Sequence, residues 1–171
     1  TPAVDATDIL RAEIVLAVSA LDHYIHELTR LGMLEVFNGS RPPTNAFRRF
    51  NVTIDAAMVA LTGGGGSSWF EMEVREKHGY LSFQLPDKIA DAIRLFSSCE
   101  LWLSVASRLN LPVEEVKKRL RLIVERRNKI AHEADLDPTY PDTRWPISLT
   151  DVVDAVNFIE QICGTIHSVV T

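Results

Sequence analysis

The chain has 171 residues, 46% of them hydrophobic, and a net charge of -5. Such a length fits one domain, residues 1–171, with a substantial core, and the acidic balance excludes a protein that coats nucleic acid with its whole surface. No apolar run approaches the roughly 18 to 20 residues of a membrane span and no signal peptide is visible, so a soluble, cytoplasmic protein is expected.

Residues 1–6 read as a loose tail. A long helix is predicted from Thr7 to Val36, with Ile9, Leu10, Ile14, Ala17, Leu21, Tyr24, Ile25, Leu28 and Leu31 on its apolar side. Asp22 and His26 lie one turn apart on the other side, equally readable as an exposed pair or as a second working face. The segment from Asn38 to Pro43 is a turn by composition, and Thr44 or Asn45 can cap a second helix reaching Leu61. Arg41, Arg48 and Arg49 form a small basic patch beside that turn, too few to separate a solvated face from an RNA contact.

Residues 62–68, Thr-Gly-Gly-Gly-Gly-Ser-Ser, are flexible linker, native or engineered. No strand leads in and no Lys-Ser or Lys-Thr follows, so the glycines form no phosphate cradle. A short helix is predicted over Trp69 to His78, then an extended connection in which Tyr80, Leu81, Phe83 and Leu85 pack as anchors. Another helix is predicted from Asp87 to Asn110. The two cysteines, Cys99 and Cys163, are too few for a disulfide framework or a zinc site and read as reduced core residues.

The segment from Pro112 to Asp137 has the densest charge and the clearest helical period. Val113, Val116, Leu120, Ile123, Val124, Ile130 and Ala131 share one stripe, and Arg127 projects to its middle. A guanidinium does not deprotonate, so Arg127 needs a carboxylate, a phosphate or a wet cleft beside it; Glu100 is the expected carboxylate. Asn128 and His132 stack one turn apart on a neighbouring face with Arg121 and Glu125. Between Lys117 and Lys129 stand seven basic residues and one acidic, against 11 basic and 22 acidic in the rest of the chain. A local positive stripe on an acidic body fits a phosphate-bearing ligand met at one place, although a charge run is more often a solvated helix face.

Arg127-Asn128-Lys129-Ile130-Ala131-His132 resembles the signature of HEPN domains, an Arg followed four to six residues later by His, in its Arg-Asn form. The surrounding LIVERRNKIAHEAD, the LDHYIHEL at Leu21 to Leu28 and the RWPIS at Arg144 to Ser148 are similar to the RiboL-PSP-HEPN branch, over nearly the whole chain. The resemblance implies a helical ribonuclease or nucleotide-binding domain that works as a two-fold dimer, its motif helices meeting in one cleft. Toxin members under a nucleotidyltransferase antitoxin often carry a Tyr two residues after the His. Ala134 stands there instead, which puts that mode of control in doubt.

After a loop from Leu136 to Ile147, Ser148-Leu149-Thr150-Asp151 reads as an acidic capping box that opens the last helix, to Val169. With no alternating strand pattern of useful length, the expected fold is all-α, an antiparallel HEPN-like bundle of four long helices plus one or two short ones.

RNA carries its own nucleophile, the 2′-hydroxyl, so cleavage requires a base, an acid and positive charge on the phosphate. His132 suits the first two roles, Arg127 the third and Asn128 the orientation of either, with Lys117, Lys118, Arg121, Arg126 and Lys129 as RNA contacts. One histidine per chain falls short of an acid and base pair, and Arg127 and His132 lie about 140° apart on their own helix; both points favour a homodimer. Glu133, Asp135 and Asp137 read as a helix end and loop rather than a magnesium site, and no cofactor is implied. The expected function is a metal-independent endoribonuclease of a prokaryotic defence or toxin-type system, with RNA, a second copy and a cognate antitoxin or defence protein as partners. The alternative is a non-catalytic HEPN module that binds nucleotides, RNA or another chain, with Arg127 in a structural ion pair.

Overall fold

A stretch that buries a side chain every three or four residues for about nine turns can serve as the axis of a domain. The computed structural model describes residues 6–63, 66–140 and 143–171. The expected tail, apart from Ala6, lies outside them, as do two glycines of the linker. The helices are α1 (Ala6–Phe37), α2 (Asn45–Arg48), α3 (Ile54–Leu61), α4 (Ser68–His78), α5 (Pro86–Arg94), α6 (Leu101–Leu109), α7 (Val113–Glu133) and α8 (Leu149–Val170). Among the described residues there is no strand, only one bridge pairing Leu136 with Arg144. The architecture is the all-α bundle expected.

The axis is α1, which packs on α8, α7, α4 and α5. Its buried line runs Arg11, Ile14, Val18, Leu21, Ile25, Leu28, Gly32 and Val36. Those steps of three and four keep one face inward over the whole length. Ile9 and Leu31, expected inside, are exposed at 61% and 50% while Arg11 is buried at 7%. The buried line therefore starts on a charged residue, and the charge has to be met from elsewhere in the fold. No helix of the described residues is long and apolar enough to cross a membrane.

Two helices expected to be continuous are broken, each by a tertiary contact. The one predicted from Thr44 or Asn45 to Leu61 stops after Arg48 and restarts at Ile54, where the Thr53 hydroxyl accepts from the Ala56 backbone at 3.2 Å. The Thr53 backbone N–H and hydroxyl donate to the buried carboxylate of Glu73, at 2.8 and 2.7 Å, and so hold the break. The one predicted over 87–110 is interrupted between Arg94 and Leu101. There Phe96 is driven into the core against Gly32 of α1, where a Cβ would come within 2.2 Å of its ring. Burying an aromatic ring that fully is worth about 1.5 to 3 kcal/mol, enough to override local helix preference in a segment weakened by Ser97 and Ser98.

The last helix begins as expected, with Ser148 and Asp151 exchanging capping bonds. In α7 the core stripe is Val116, Leu120 and Val124. From Glu125 to Ala134 no residue is fully buried. Ile130 is half-buried and Ala131 exposed, so the motif occupies the end of a helix that outruns the core.

Of the four anchors expected between Gly79 and Pro86, Phe83 is buried at 4%, while Tyr80, Leu81 and Leu85 are exposed. Cys99 and Cys163 are free thiols, both half-buried.

Candidate active site

The last turns of α7 carry Arg127, Asn128 and His132 on two faces. Asn128 and His132 are exposed, as is Arg121 about two to three turns earlier on the same side. Arg127 is half-buried and turned toward the connection between α4 and α5, where its Nη2 donates to Gln84 Oε1. Its Nε is enclosed without a hydrogen-bond partner. Glu100, the carboxylate expected to hold Arg127, is instead at the start of α6 and lines a separate cavity with Lys117. The correction has a physical basis: the helix break before Glu100 takes its side chain off the stripe it was expected to share with Arg127.

Gln84 passes the connection on. Its amide Nε2 donates to Asp22 Oδ2 at 3.2 Å, and Asp22 Oδ1 accepts from the Phe83 backbone N–H at 2.6 Å. The Asp22 carboxylate thereby fastens the 79–85 connection to α1, and the Gln84 amide relays its negative charge to the guanidinium of Arg127. His26 belongs to the same group. Its ring packs on Phe83 with centroids 4.4 Å apart, and its Nε2–H donates to the Leu81 carbonyl at 3.3 Å. Asp22 and His26, readable as an exposed pair or as a working face, are both half-buried, and Asp22 is linked to Arg127 through Gln84. Gln84 escaped the sequence reading because a lone polar residue between Phe83 and Leu85 in an extended segment has no periodicity to mark it.

Beyond His132 the chain turns through two successive left-handed residues, Ala134 and Asp135, with φ of 52° and 60°. Asp135 is fully buried and its Oδ2 accepts from Arg11 Nε and Arg126 Nη2, both at 2.8 Å. The two arginines also share the Trp145 carbonyl, at 2.9 and 3.3 Å. This is how the charge of Arg11 is met, and it ties the start of α1 to the turn that ends the motif helix. Asp135, expected in the helix end and loop, lies in the turn just after the C-cap Ala134 and is buried.

The basic stripe divides accordingly. Arg126 is drawn into the Asp135 clamp, Arg119 lies 4.3 Å over the Phe158 ring and Lys129 5.5 Å over the Trp145 ring. Lys117 is half-buried, 3.9 Å from Glu114. Lys118 and Arg121 are exposed, and their side chains make no ion pair or hydrogen bond among the described residues. Four of the five expected RNA contacts, Lys117, Lys118, Arg121 and Lys129, thus remain accessible, and Arg126 is engaged internally.

Beside His26, on the α4 side, a cavity of about 270 Å³ is lined by His23, Arg30 and His78 among others. His78 is buried at 6%, and burial, with His26 nearby, pushes its pKa down to about 4. Its ring is therefore neutral at physiological pH. No three His, Cys, Asp or Glu side chains among the described residues are grouped to hold a metal ion.

The Arg-Asn-x3-His spacing sets an arginine on one face of a helix end and an amide and an imidazole on another, and contacts from Gln84 and Asp22, outside the motif, hold the arginine. No curated protein and no solved structure matches the chain. The RiboL-PSP-HEPN family model matches residues 3–171, and the chain belongs to that family.

Proposed function

We propose that this domain is a metal-independent endoribonuclease that cleaves RNA by attack of the 2′-hydroxyl, with an active site formed across a homodimer, in a prokaryotic defence or toxin-type system. Family membership supports an RNA-related role in general. The observation that carries the finer reading is the exposure of Asn128 and His132 on one face of α7 while Arg127 is held on another by Gln84. An imidazole at the surface is available for proton transfer, and histidine is the side chain whose ordinary pKa suits both halves of it near neutrality. Arg127 and His132 diverge by about 140° around the helix, so a single phosphate is met more easily by Arg127 of one protomer and His132 of its mate. Two histidines then share the work: one takes the proton of the 2′-hydroxyl as that oxygen bonds to phosphorus, and the other protonates the departing 5′-oxygen. The products are a 2′,3′-cyclic phosphate and a 5′-hydroxyl.

A test is incubation of the purified protein with total RNA in EDTA, followed by mapping of the ends, alongside its mass in solution at micromolar concentration. Cyclic phosphate ends in chelator and a dimeric mass are expected. Activity that requires magnesium, or a strictly monomeric mass, counts against the proposal. The bond from Arg127 to Gln84 also favours a second reading, a non-catalytic module in which Arg127 braces the helix end, and complete absence of cleavage is its signature.

A further inference from the structure

The break between α5 and α6 opens a cavity of about 670 Å³. Its wall brings together parts of the chain far apart in sequence: Arg49 from the end of α2, Arg94 from the end of α5, Ser97 and Glu100 from the break, and Lys117 from the second turn of α7. Sites where a strong local helix pattern is overridden are where function tends to concentrate. Here the override places three cations and one carboxylate around an open space. Arg49 is exposed and its side chain makes no ion pair or hydrogen bond among the described residues. Arg94 and Lys117 are paired only with exposed carboxylates, Asp91 at 2.6 Å and Glu114 at 3.9 Å. Pairs of that kind are worth little, so an incoming phosphate competes with them readily.

The cavity is also continuous with the motif helix. At 100° per residue, Lys117, Arg121, Asn128 and His132 fall within about 60° of one another, so one ridge of α7 leads from the cavity to the motif. The 15 steps from Lys117 to His132 span about 22 Å, roughly six stacked nucleotides at about 3.4 Å each. We infer that this cavity is a distal subsite for the RNA strand, taking a nucleotide several positions from the bond that is cut. The inference rests on the ribonuclease reading above and adds to it a place where substrate length is sensed. Arg49, ambiguous as part of a short patch, and the lysine that opens the basic stripe become two sides of one phosphate seat, with planar Arg donors suited to paired oxygens. Glu100 disfavours a bare anion and favours a group that brings a donor along with its phosphate, such as the amino group of a base.

The experiment compares wild type with an Arg49→Glu/Arg94→Glu double variant on a dinucleotide and on a long single strand containing the same step. Both side chains are exposed, and thermal melting checks that the fold persists. On the long strand kcat/KM should fall on the order of 10-fold, through KM, with a shallower dependence on salt. On the dinucleotide it should not change. Glu100→Gln should lower KM for the long strand, which a purely structural role for the cavity does not predict. Equal loss on both substrates, or no loss on either, overturns the subsite while leaving the ribonuclease reading intact. If wild type cuts neither substrate the ribonuclease reading fails by itself, and fluorescence anisotropy with the labelled long strand then decides. Weaker binding by the double variant upholds the subsite, and unchanged binding overturns it.

Discussion

Arg127 and Gln84, 43 positions apart in sequence, meet where the end of α7 passes the connection between α4 and α5. Through the amide of Gln84 the guanidinium is coupled to Asp22 of α1, so the half-buried cation of the motif is balanced by a carboxylate it does not touch. Arg127 is thereby held through an amide, with no carboxylate in direct contact among the described residues.

That arrangement sets the size of two mutational effects. Arg127→Ala and Gln84→Ala each strand a polar partner but no bare buried charge, so each should lose about 1 to 3 kcal/mol of stability in denaturant titrations. A direct buried ion pair broken on one side loses about 3 to 5 kcal/mol, and a loss that large in Arg127→Ala would reveal a carboxylate in contact with it. Gln84→Ala should also slow cleavage, because Arg127 is no longer aimed.

His132 is exposed, so its loss should affect chemistry and not folding. His132→Ala is expected to slow RNA cleavage on the order of 10²-fold or more, the usual contribution of a positioned acid or base, with an unchanged melting temperature. Cleavage at the wild-type rate in this variant would falsify the proton-transfer role.

Asp135 presents the opposite profile. It is fully buried and holds both Arg11 and Arg126 at 2.8 Å. Asp135→Ala leaves Arg11 as an uncompensated buried cation and should destabilise by about 3 to 5 kcal/mol. Arg126→Ala should lose less, since that side chain is 25% exposed and Arg11 still pairs with the carboxylate. Equal losses in the two variants, measured by chemical denaturation, would show that Arg126 and not Arg11 carries the clamp.

His78 predicts a pH dependence of stability. Its pKa falls from 6.5 unfolded to about 4 folded, chiefly because burial penalises the charged ring. Between these values the unfolded chain binds more protons, so its contribution is fully present above about pH 6.5 and is lost progressively as pH falls to about 4. The integrated effect is on the order of 3 kcal/mol. Melting temperatures measured across that window should fall more steeply with acid in wild type than in His78→Phe. Parallel curves would place the acid sensitivity elsewhere.

What the sequence determined by itself was whatever repeats along one helix. The class of fold, the course of α1, α7 and α8, the Ser148 capping box and the motif all lie within segments where burial recurs every three or four residues or a cap acts over three. The placement of Asn128 and His132 on a face apart from Arg127 follows from helix geometry alone. What only the tertiary structure decided were matters settled by contacts between distant segments. Phe96 seated against Gly32 interrupts a helix that local pattern makes continuous, and so opens the cavity beside Lys117. Glu73 does the same for the segment before α3. Gln84 replaces Glu100 as the partner of Arg127, and Asp135 recruits Arg126 away from the basic stripe. A buried ring is packed, and a polar group at least partly buried is satisfied, by whatever the fold brings into contact, and that requirement has no period in the sequence to announce it.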